Sequence, residues 1–509
     1  MSEVCMRKRV LGALSFALLV VSAVSASEER ATDRGEQAIA ELQHDLDAVM
    51  ELPSLATSKV GLLVRRLSDG KTLYARNPSV PLVPASNIKL VSTAAALHYL
   101  KPNYRFRTAI YGEPNDDGVL YGNLVIKGHG DPWLLPERIW QMANRLYYNG
   151  LRRVRGNIVV DDSYFAGDRY AIGREQDHTS FAYMAPVGAA SVSFNAIGVH
   201  VTPGSAVGEP AEIMLEPRSR YAKVEGEVET IRRGRTYISV DVEPSGDRSV
   251  IKVSGRISQS DSGRRYWRRI DNPPVYTGEV IRTMLQQVGI RVDGRVKTGL
   301  APTKEDPFMY LGSPPLAEII DRVNKHSNNF MAEQLARAVG AEVFGAPGTW
   351  EKGAQAIEVF LLEQVGLEPD SFSLNNASGL HDVNRFSPEQ IVKILQYMHR
   401  QPDISTEFIA SLAVAGGAGT LSHRLRDTDA ALMVRAKTGT LSISAALSGY
   451  VTAQSGEVLA FSMLVNDYQT AIAEVWEAQD KVGTLLAGLT FNESPERFSA
   501  PTASTLSVE

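Results

Sequence analysis

The stretch over residues 84–100 constrains this chain more than any other segment. After Pro84 it contains no helix breaker until Pro102, and most of its residues are apolar, which predicts a buried helix. Ser86 and Lys89 are three residues apart, so a helix would place both side chains on one face. Burial lowers the pKa of a lysine and makes it a usable base, and a base makes a serine hydroxyl nucleophilic. The stretch therefore predicts a Ser–Lys nucleophile pair.

The same spacing occurs twice more, in Ser68-Asp-Gly-Lys71 on a predicted turn and in Ser249-Val-Ile-Lys252 in a strand-like segment. Neither segment has a helix that would hold the two side chains together. The pair at Ser86 can also be read as a capping serine with a surface lysine. Its meaning therefore depends on partners elsewhere in the chain.

Length and composition exclude several classes of protein. The 509 residues are too many for one hydrophobic core, so two or three domains are expected. A formal net charge of −5 gives no reason to expect a nucleic-acid partner. The 9 histidines lack any metal-ligand spacing, so we expect neither a metal nor another cofactor.

Residues 1–26 have the three parts of an export signal. Residues 7–9 are basic, residues 10–24 form a short apolar run, and Val24-Ser-Ala26 supplies small residues for cleavage before Ser27. An uncleaved anchor is the alternative, but the apolar run is short for a membrane span. Cys5, the only cysteine, would be removed with the signal, which excludes disulfides and thiol catalysis. We expect a periplasmic protein with at most peripheral membrane association.

A second motif, Ser327-Asn-Asn329, lies in a region that is predicted to be helical over residues 316–339. A Ser–Lys nucleophile needs a second hydroxyl that passes a proton to the leaving amine, and Ser327 would supply it. The amide of Asn329 would hold the peptide of the substrate. In this arrangement Lys89 is the base that activates Ser86.

A third motif, Lys437-Thr-Gly-Thr440, ends a strand predicted over residues 431–437, and two further strand patterns follow. Lys437 and Thr438 would attract a terminal carboxylate, and we expect Lys437 to stay charged. Gly439 would let a substrate backbone lie along the strand. The N–H groups of Ser86 and Thr440 would form an oxyanion hole.

A rival set exists in the same order, because Ser193-Phe-Asn195 and Lys297-Thr-Gly299 repeat the second and third motifs. Residues 191–195 are strand-like, however, and no strands are predicted after Gly299, where a proline-rich connector over residues 302–315 begins. We therefore prefer the set of Ser86, Ser327 and Lys437.

The three motifs together resemble those of the low-molecular-mass class C penicillin-binding proteins, the D-alanyl-D-alanine carboxypeptidase/endopeptidases. The resemblance covers most of residues 50–490. It includes Pro-Ala-Ser86, Asn103-Tyr-Arg-Phe-Arg-Thr108, Gly128-His-Gly-Asp-Pro132, the Ser327 block with Glu333, Ser378-Gly-Leu380 and Gly419-Thr-Leu421. Two positions depart from the family pattern. Asn328 stands where Asp is usual, and Asn376-Ala377 replaces Asp-Gly.

The resemblance implies an α/β (α+β) fold of the serine β-lactamase and penicillin-binding-protein transpeptidase type. An antiparallel sheet would be flanked by helices and a helical subdomain, and two mainly β domains would fill the long interval between Ser86 and Ser327. Alternating short segments over residues 200–257 agree with such an insertion. The expected divisions are a signal peptide (1–26), a D,D-peptidase domain (27–100 and 303–491), an inserted domain II (101–198 and 258–302), a nested small β domain III (199–257) and a disordered tail (492–509).

The resemblance also implies an exported serine-type D-Ala-D-Ala carboxypeptidase and D,D-endopeptidase. Its substrates would be peptidoglycan stem peptides and muropeptides, and β-lactams would inhibit it covalently at Ser86. Asp161 is the candidate for binding the diaminopimelate end of the muropeptide, or alternatively a turn residue at a strand end. Two other functions remain open, a β-lactamase-like hydrolase and a non-catalytic murein-binding envelope protein.

Overall fold

The computed structural model describes residues 35–173 and 179–490. The predicted signal peptide and the tail from residue 492 lie outside these residues. The helices are α1 (35–50), α2 (Ile88–Leu100), α3 (Pro136–Tyr148), α4 (Pro273–Gln287), α5 (Leu316–His326), α6 (Asn329–Phe344), α7 (Trp350–Val359), α8 (Pro388–His399), α9 (Ser405–Ala410) and α10 (Ile472–Ala487).

The strands form one large sheet and four smaller ones. In chain order they are β1 (Lys59–Arg66), β2 (Thr72–Arg76), β3 (Arg107–Tyr111), β4 (Val119–Leu120), β5 (Leu124–Gly128), β6 (Arg153–Val154), β7 (Ile158–Asp161), β8 (Ala196–Thr202), β9 (Glu212–Glu216), β10 (Ala222–Ile231), β11 (Tyr237–Ser245), β12 (Arg248–Ser258), β13 (Arg264–Arg269), β14 (Arg291–Val292), β15 (Val296–Thr298), β16 (Met309–Gly312), β17 (Ala413–Val414), β18 (Val434–Leu441), β19 (Ser444–Thr452) and β20 (Val458–Asn466).

The large sheet is antiparallel, in the order β17-β18-β19-β20-β1-β2. Its central strands β19 and β20 are buried along almost their whole length, since helices cover both faces. Apolar residues of α1 and α10 pack on one face, while α2 and α8 pack on the other. The predicted fold class is confirmed. The strand predicted over residues 431–437 is β18 (Val434–Leu441), which begins and ends a few residues later than predicted.

The helical region predicted over residues 316–339 is two helices, α5 and α6. Ser327 breaks the region because it ends α5 in the left-handed conformation, with φ 55°. Asn328 then caps α6 by accepting a hydrogen bond from the N–H of Met331 at 3.0 Å. The break turns the Ser327 side chain out of both helices, so it can reach a neighbouring strand.

The chain between α2 and α5, called the larger insertion below, contains a five-stranded sheet in the order β15-β7-β5-β3-β16. Its pairs β5–β7 and β7–β15 are parallel, which requires crossover connections, and α3 and α4 lie in those crossovers. Strands β6 and β7 follow one another closely in the chain but belong to different sheets. Gly156 lies between them, where a β-carbon would be only 2.3 Å from the carbonyl oxygen of Gly122.

Strands β10, β11 and β12 form a separate small sheet, as predicted for residues 200–257. The predicted connector over residues 302–315 contains β16, which pairs with β3, so this expectation was wrong in part. One hydrophobic cluster draws all of its buried members from residues 110–311, and two others contain the large sheet and its helices. The exact domain boundaries stay a prediction. Among the described helices, none has the length and apolar character that crossing a membrane requires.

Candidate active site

Ser86 lies in a tight turn at the start of a buried helix. A 3-10 turn over Ala85–Asn87 leads directly into α2, and Ala85 has φ 47°, which is unusual for a residue with a side chain. Backbone strain of this kind persists where the surroundings hold it. Here Gly379 lies so close to the turn that a β-carbon on it would be 1.8 Å from the Ala85 carbonyl oxygen.

Lys89 is fully buried, and its amino group contacts three oxygen atoms. Nζ lies 3.0 Å from Ser86 Oγ, 2.7 Å from Asn329 Oδ1 and 2.5 Å from the carbonyl oxygen of Ser378. A charged ammonium donates to all three. A neutral amine has two N–H groups and one lone pair, so it can donate to Asn329 and Ser378 and accept the proton of Ser86. The geometry thus suits proton removal from Ser86.

Lys437 forms a second lysine–serine pair beside the first. Its Nζ donates to Ser327 Oγ at 3.0 Å and to the Thr438 carbonyl oxygen at 2.6 Å, and its side chain is fully buried. Thr438 Oγ1 donates to Thr420 Oγ1 at 2.7 Å, which ties the strand to the neighbouring 3-10 turn at Gly419–Leu421. Of the predicted catalytic residues, Ser86, Lys89 and Asn329 therefore form one hydrogen-bonded group, and Ser327 and Lys437 form another.

Both lysines lose part of their affinity for a proton. Burial lowers the pKa of Lys89 well below its usual range, the positive charge of Lys437 lowers it further, and Glu333 acts in the opposite direction. Burial alone lowers the pKa of Lys437 to about 7. This pKa places the titration of Lys437 close to neutral pH, and the expectation that the group stays charged remains a prediction.

Gly439 has a different neighbour from the one expected. A β-carbon at this position would lie 2.9 Å from the Pro84 carbonyl oxygen and 3.0 Å from both the Ala85 β-carbon and the Ser86 nitrogen. The missing side chain thus lets β18 approach the Ser86 turn. The next residue, Thr440, lies on the same strand segment, and both it and Ser86 line the cleft described below.

The two lysine–serine pairs border an open cleft of about 690 Å³. Ser86, Ser327 and Asn329 line one part of it, and β18 lines another. Tyr183 of the larger insertion also lines the cleft, and its side chain is 45% exposed. The insertion therefore forms part of the wall around the candidate nucleophile.

Asp161 does not have the surroundings expected of a substrate-binding residue. Its side chain is 1% exposed. One carboxylate oxygen accepts from the N–H of Ser163 at 2.8 Å, and the other accepts from the N–H of Ala301 at 2.8 Å and lies 3.7 Å from Lys127 Nζ. These contacts match the alternative interpretation, a structural aspartate at the end of β7, and the substrate-binding role of Asp161 remains an untested prediction.

The rival residues lie elsewhere. Ser193 is in a 3-10 turn with positive φ angles, not in the strand-like conformation expected, and its N–H bonds to the Leu134 carbonyl at 3.0 Å. Lys297 pairs with Val159 at the edge of the five-stranded sheet. Both belong to the insertion, whereas Ser327 and Lys437 contact each other directly.

Sequence reasoning missed two contributors to the site. The carbonyl of Ser378 bonds to Lys89, and the hydroxyl of Thr420 bonds to Thr438. In the sequence, only the resemblance of the surrounding blocks to the family pointed to these two residues. Residue type does not show which backbone carbonyl will accept a hydrogen bond. No cluster of metal-binding side chains occurs in the part of the chain that the structure describes.

Comparison with known proteins gives a consistent result. Residues 42–487 match the D-Ala-D-Ala carboxypeptidase 3 (S13) family. The chain is 33% identical to a D-alanyl-D-alanine carboxypeptidase of Actinomadura sp. (strain R39), over 96% of this chain and 92% of that protein. The crystal structure of penicillin binding protein 4 from Haemophilus influenzae superposes with a TM-score of 0.76 at 24% identity, covering 87% of this chain and 99% of that one.

A more distant structural relative is a penicillin G-acylated predatory endopeptidase, Bd3459, from Bdellovibrio bacteriovorus. It superposes with a TM-score of 0.50 at 15% identity, and the superposition covers 85% of this chain and 94% of the relative's chain. At this identity the likeness concerns the fold alone.

Proposed function

This chain belongs to the D-Ala-D-Ala carboxypeptidase 3 (S13) family and is a D-Ala-D-Ala carboxypeptidase, and we propose that Ser86 is its nucleophile and Lys89 the base that activates it. The observation that carries the proposal is the arrangement around Lys89. Two fixed acceptors, Asn329 Oδ1 and the Ser378 carbonyl, occupy two of its hydrogen-bonding directions, and Ser86 Oγ occupies the third.

In the proposed first step, neutral Lys89 takes the hydroxyl proton of Ser86 as Oγ attacks the carbonyl carbon of the penultimate D-Ala. The carbonyl oxygen becomes an oxyanion, which the N–H groups of Ser86 and Thr440 stabilise. The C–N bond then breaks. Ser327 delivers a proton to the departing amine and takes one from the Lys437 ammonium that donates to it. Terminal D-Ala leaves, and the substrate stays bound to Ser86 as an ester.

In the second step, water attacks the ester carbonyl and gives a proton through Ser327 to Lys437. The Ser86–substrate bond then breaks, and the Lys89 ammonium returns to Ser86 Oγ the proton that it took in the first step. Before acylation, Lys437 and Thr438 orient the intact substrate through its terminal carboxylate, and Gly439 and Thr440 lie along the bound peptide. Neutral Lys89 serves as base because burial and Lys437 both lower its pKa. In this proposal Lys89 is the base for Ser86, and Lys437 orients the substrate.

The same chemistry extends to D,D-crosslinks and to β-lactams in our proposal. A crosslink presents an amine with a longer substituent, and the open cleft with its wall from the insertion has room for a substrate larger than a dipeptide. The relative from Bdellovibrio, which shares the fold alone, is an endopeptidase that penicillin G acylates, so a protein of this fold can act on both kinds of compound. Peptidoglycan stem peptides and muropeptides are the proposed substrates.

Labelled penicillin tests the proposal directly. The purified protein should acquire one covalent label, and peptide mapping should place it on Ser86. The Ser86→Ala protein should remain unlabelled and should release no D-Ala from a muropeptide. Equal labelling of wild type and Ser86→Ala would refute the assignment of the nucleophile.

A β-lactamase-like hydrolase would share this labelling but would release penicillin quickly. The proposed enzyme should therefore release D-Ala and cleave dimeric muropeptides while turning over nitrocefin slowly. Rapid nitrocefin turnover without D-Ala release would favour the β-lactamase alternative. A protein that binds murein without either activity would favour the non-catalytic alternative.

We also propose that residues 1–26 direct export to the periplasm and that any membrane association is peripheral. The domain divisions expected from the sequence form part of the same proposal, with domains II and III inserted between the Ser86 and Ser327 motifs. Cell fractionation combined with N-terminal sequencing of the mature protein would test the export signal, and a mature chain beginning at residue 27 is expected.

A further inference from the structure

Glu333 is a buried carboxylate one helical turn beyond Asn329 on α6, and the proposed mechanism does not use it. Glu333 as a whole residue is only 7% exposed. One carboxylate oxygen accepts two backbone hydrogen bonds, from the N–H of Ala377 at 3.1 Å and from the N–H of Ser378 at 3.0 Å. A buried carboxylate is costly unless its oxygens are bonded, so this contact is a specific one.

The segment that Glu333 holds also contacts the nucleophile helix. The Ser378 carbonyl accepts from Lys89 Nζ at 2.5 Å, and the Ala377 carbonyl accepts from Ser92 Oγ at 2.8 Å. The short segment over residues 377–378 is therefore clamped between α6 on its N–H side and α2 on its carbonyl side. Movement of the segment would move the acceptor that orients Lys89.

The orientation of Lys89 matters because of the number of hydrogen bonds that a neutral amine can make. With the Asn329 and Ser378 oxygens in place, its two N–H groups are occupied and its lone pair faces Ser86 Oγ. Without the Ser378 carbonyl, one N–H can turn toward Ser86 instead, and the amine then donates to the hydroxyl whose proton it should take.

We propose that Glu333 is a positioning residue for Lys89, because its carboxylate fixes the Ala377–Ser378 peptide and thereby keeps the Ser378 carbonyl on the amino group. The inference rests on the proposed roles of Ser86 and Lys89. It differs from a role in substrate binding, since Glu333 acts through the protein backbone and should affect every substrate alike.

The charge of Glu333 adds a second readout. The charged groups around Lys89 and Glu333 include Lys437 on β18, Arg337 on α6 and Arg169 of the insertion, and the titratable side chains of Tyr170, Tyr183 and His381 line the same small cavity as Glu333. Lys437 lowers the pKa of Lys89, whereas Glu333 raises it. Loss of the negative charge should therefore lower the pKa of Lys89, and the rising acidic limb of the acylation rate should move to lower pH.

Two substitutions separate the contact from the charge. Glu333→Gln keeps an oxygen that can accept both N–H groups but removes the charge, and Glu333→Ala removes both. We expect Glu333→Ala to lower the rate constant of Ser86 acylation about 10- to 100-fold, part of what general base catalysis contributes. The loss should be equal for a muropeptide and a β-lactam. Glu333→Gln should retain more activity and show the shifted acidic limb.

Glu342→Gln is the matched control, because this carboxylate lies on the same helix and accepts from the hydroxyls of Tyr104 and Tyr164, away from Lys89. It should leave the acylation rate and its pH profile unchanged. If Glu333→Ala does not fold, the pH profile of Glu333→Gln carries the test.

A Glu333→Ala rate within about twofold of wild type, a Glu333→Gln profile that superimposes on wild type, or a loss confined to one substrate would each overturn the inference. A wild-type protein that is not acylated at Ser86 would instead refute the proposed function. The two failures are thus distinguishable.

Discussion

At the scale of single residues, two buried lysines have different electrostatic surroundings. The Nζ atom of Lys89 contacts oxygens on three separate segments, whereas Lys437 contacts Ser327 and its own neighbouring backbone. Burial depresses the pKa of both lysines, and the nearby positive charge of Lys437 lowers the pKa of Lys89 further, while Glu333 raises it. We therefore expect substitutions of the two lysines to have distinct effects.

Lys89→Ala should reduce acylation by both peptide and penicillin by about two to four orders of magnitude, because the base is lost for either substrate. Lys437→Ala should impair a substrate with a free terminal carboxylate more than a neutral thioester without one. Acylation of Ser86 by each compound measures the difference. Normal acylation in Lys89→Ala, or equal losses in Lys437→Ala, would contradict this division.

The pKa of Lys437 also predicts a pH dependence. The group carries its positive charge below its pKa of about 7 and loses it as the pH rises through that value. For a carboxylate substrate, kcat/KM should therefore fall on the alkaline side of neutrality, since this quantity reports the free enzyme. The neutral thioester should lack this alkaline limb, and a limb of equal size for both compounds would argue against carboxylate binding by Lys437.

At the scale of elements, the site depends on how closely one strand approaches one turn. Strand β18 packs against the 3-10 turn that carries Ser86, and Gly439 is the point of contact. Gly379 also packs against this turn. Two glycines therefore adjoin the strained conformation of Ala85, and neither position has room for a β-carbon.

Gly439→Ala should push β18 away from the Ser86 turn, because the new β-carbon would lie 2.9 Å from the Pro84 carbonyl oxygen. Such overpacking costs about 1–3 kcal/mol of folding free energy. We expect lower stability in denaturant unfolding and slower acylation of Ser86. Gly312→Ala on β16, where a β-carbon meets no atom within 4 Å, is the control and should change neither. Unchanged acylation in Gly439→Ala would exclude this packing as a requirement.

At the scale of the whole molecule, the insertion is attached to the peptidase core through α6, the helix that also carries Asn329. Gln334 Nε2 donates to the Gly188 carbonyl at 2.7 Å, and Arg337 donates to the Ala166 and Asp168 carbonyls. These contacts fix the insertion segment that brings Tyr183 to the cleft. The wall of the cleft is therefore coupled to the helix that holds the site.

Gln334→Met should remove one of the two hydrogen bonds that the Gly188 carbonyl accepts, since Ser191 Oγ still donates to it at 2.7 Å, and should cost about 0.5–1.5 kcal/mol of stability. Because the wall segment loosens, cleavage of crosslinked dimeric muropeptides should fall more than acylation by penicillin, which needs only the core of the site. Gln43→Met, which removes a similar bond to the Leu73 carbonyl on β2, at the opposite edge of the large sheet from β18, is the control. Equal losses for dimer and penicillin would indicate that the wall has no role in substrate selection.

The sequence by itself determined the family, the order of the main helices and strands, and the side chains that meet at the site. Ser86, Lys89, Ser327, Asn329 and Lys437 were predictable because their chemistry resides in side chains at characteristic spacings. Asn328 and Asn376 depart from the family pattern, yet both have local structural roles, since Asn328 caps α6 and Asn376 Oδ1 accepts from the N–H of Gly379 at 2.8 Å.

Only the tertiary structure decided the remainder. The Ser378 carbonyl, the true neighbour of Gly439, the burial of Asp161 and the clamp made by Glu333 all depend on backbone atoms or on segments far apart in the chain. Every residue carries the same backbone carbonyl and N–H, so residue type does not reveal which of them will face a lysine or a carboxylate. Long-range packing selects them, and it does so only when the chain is folded.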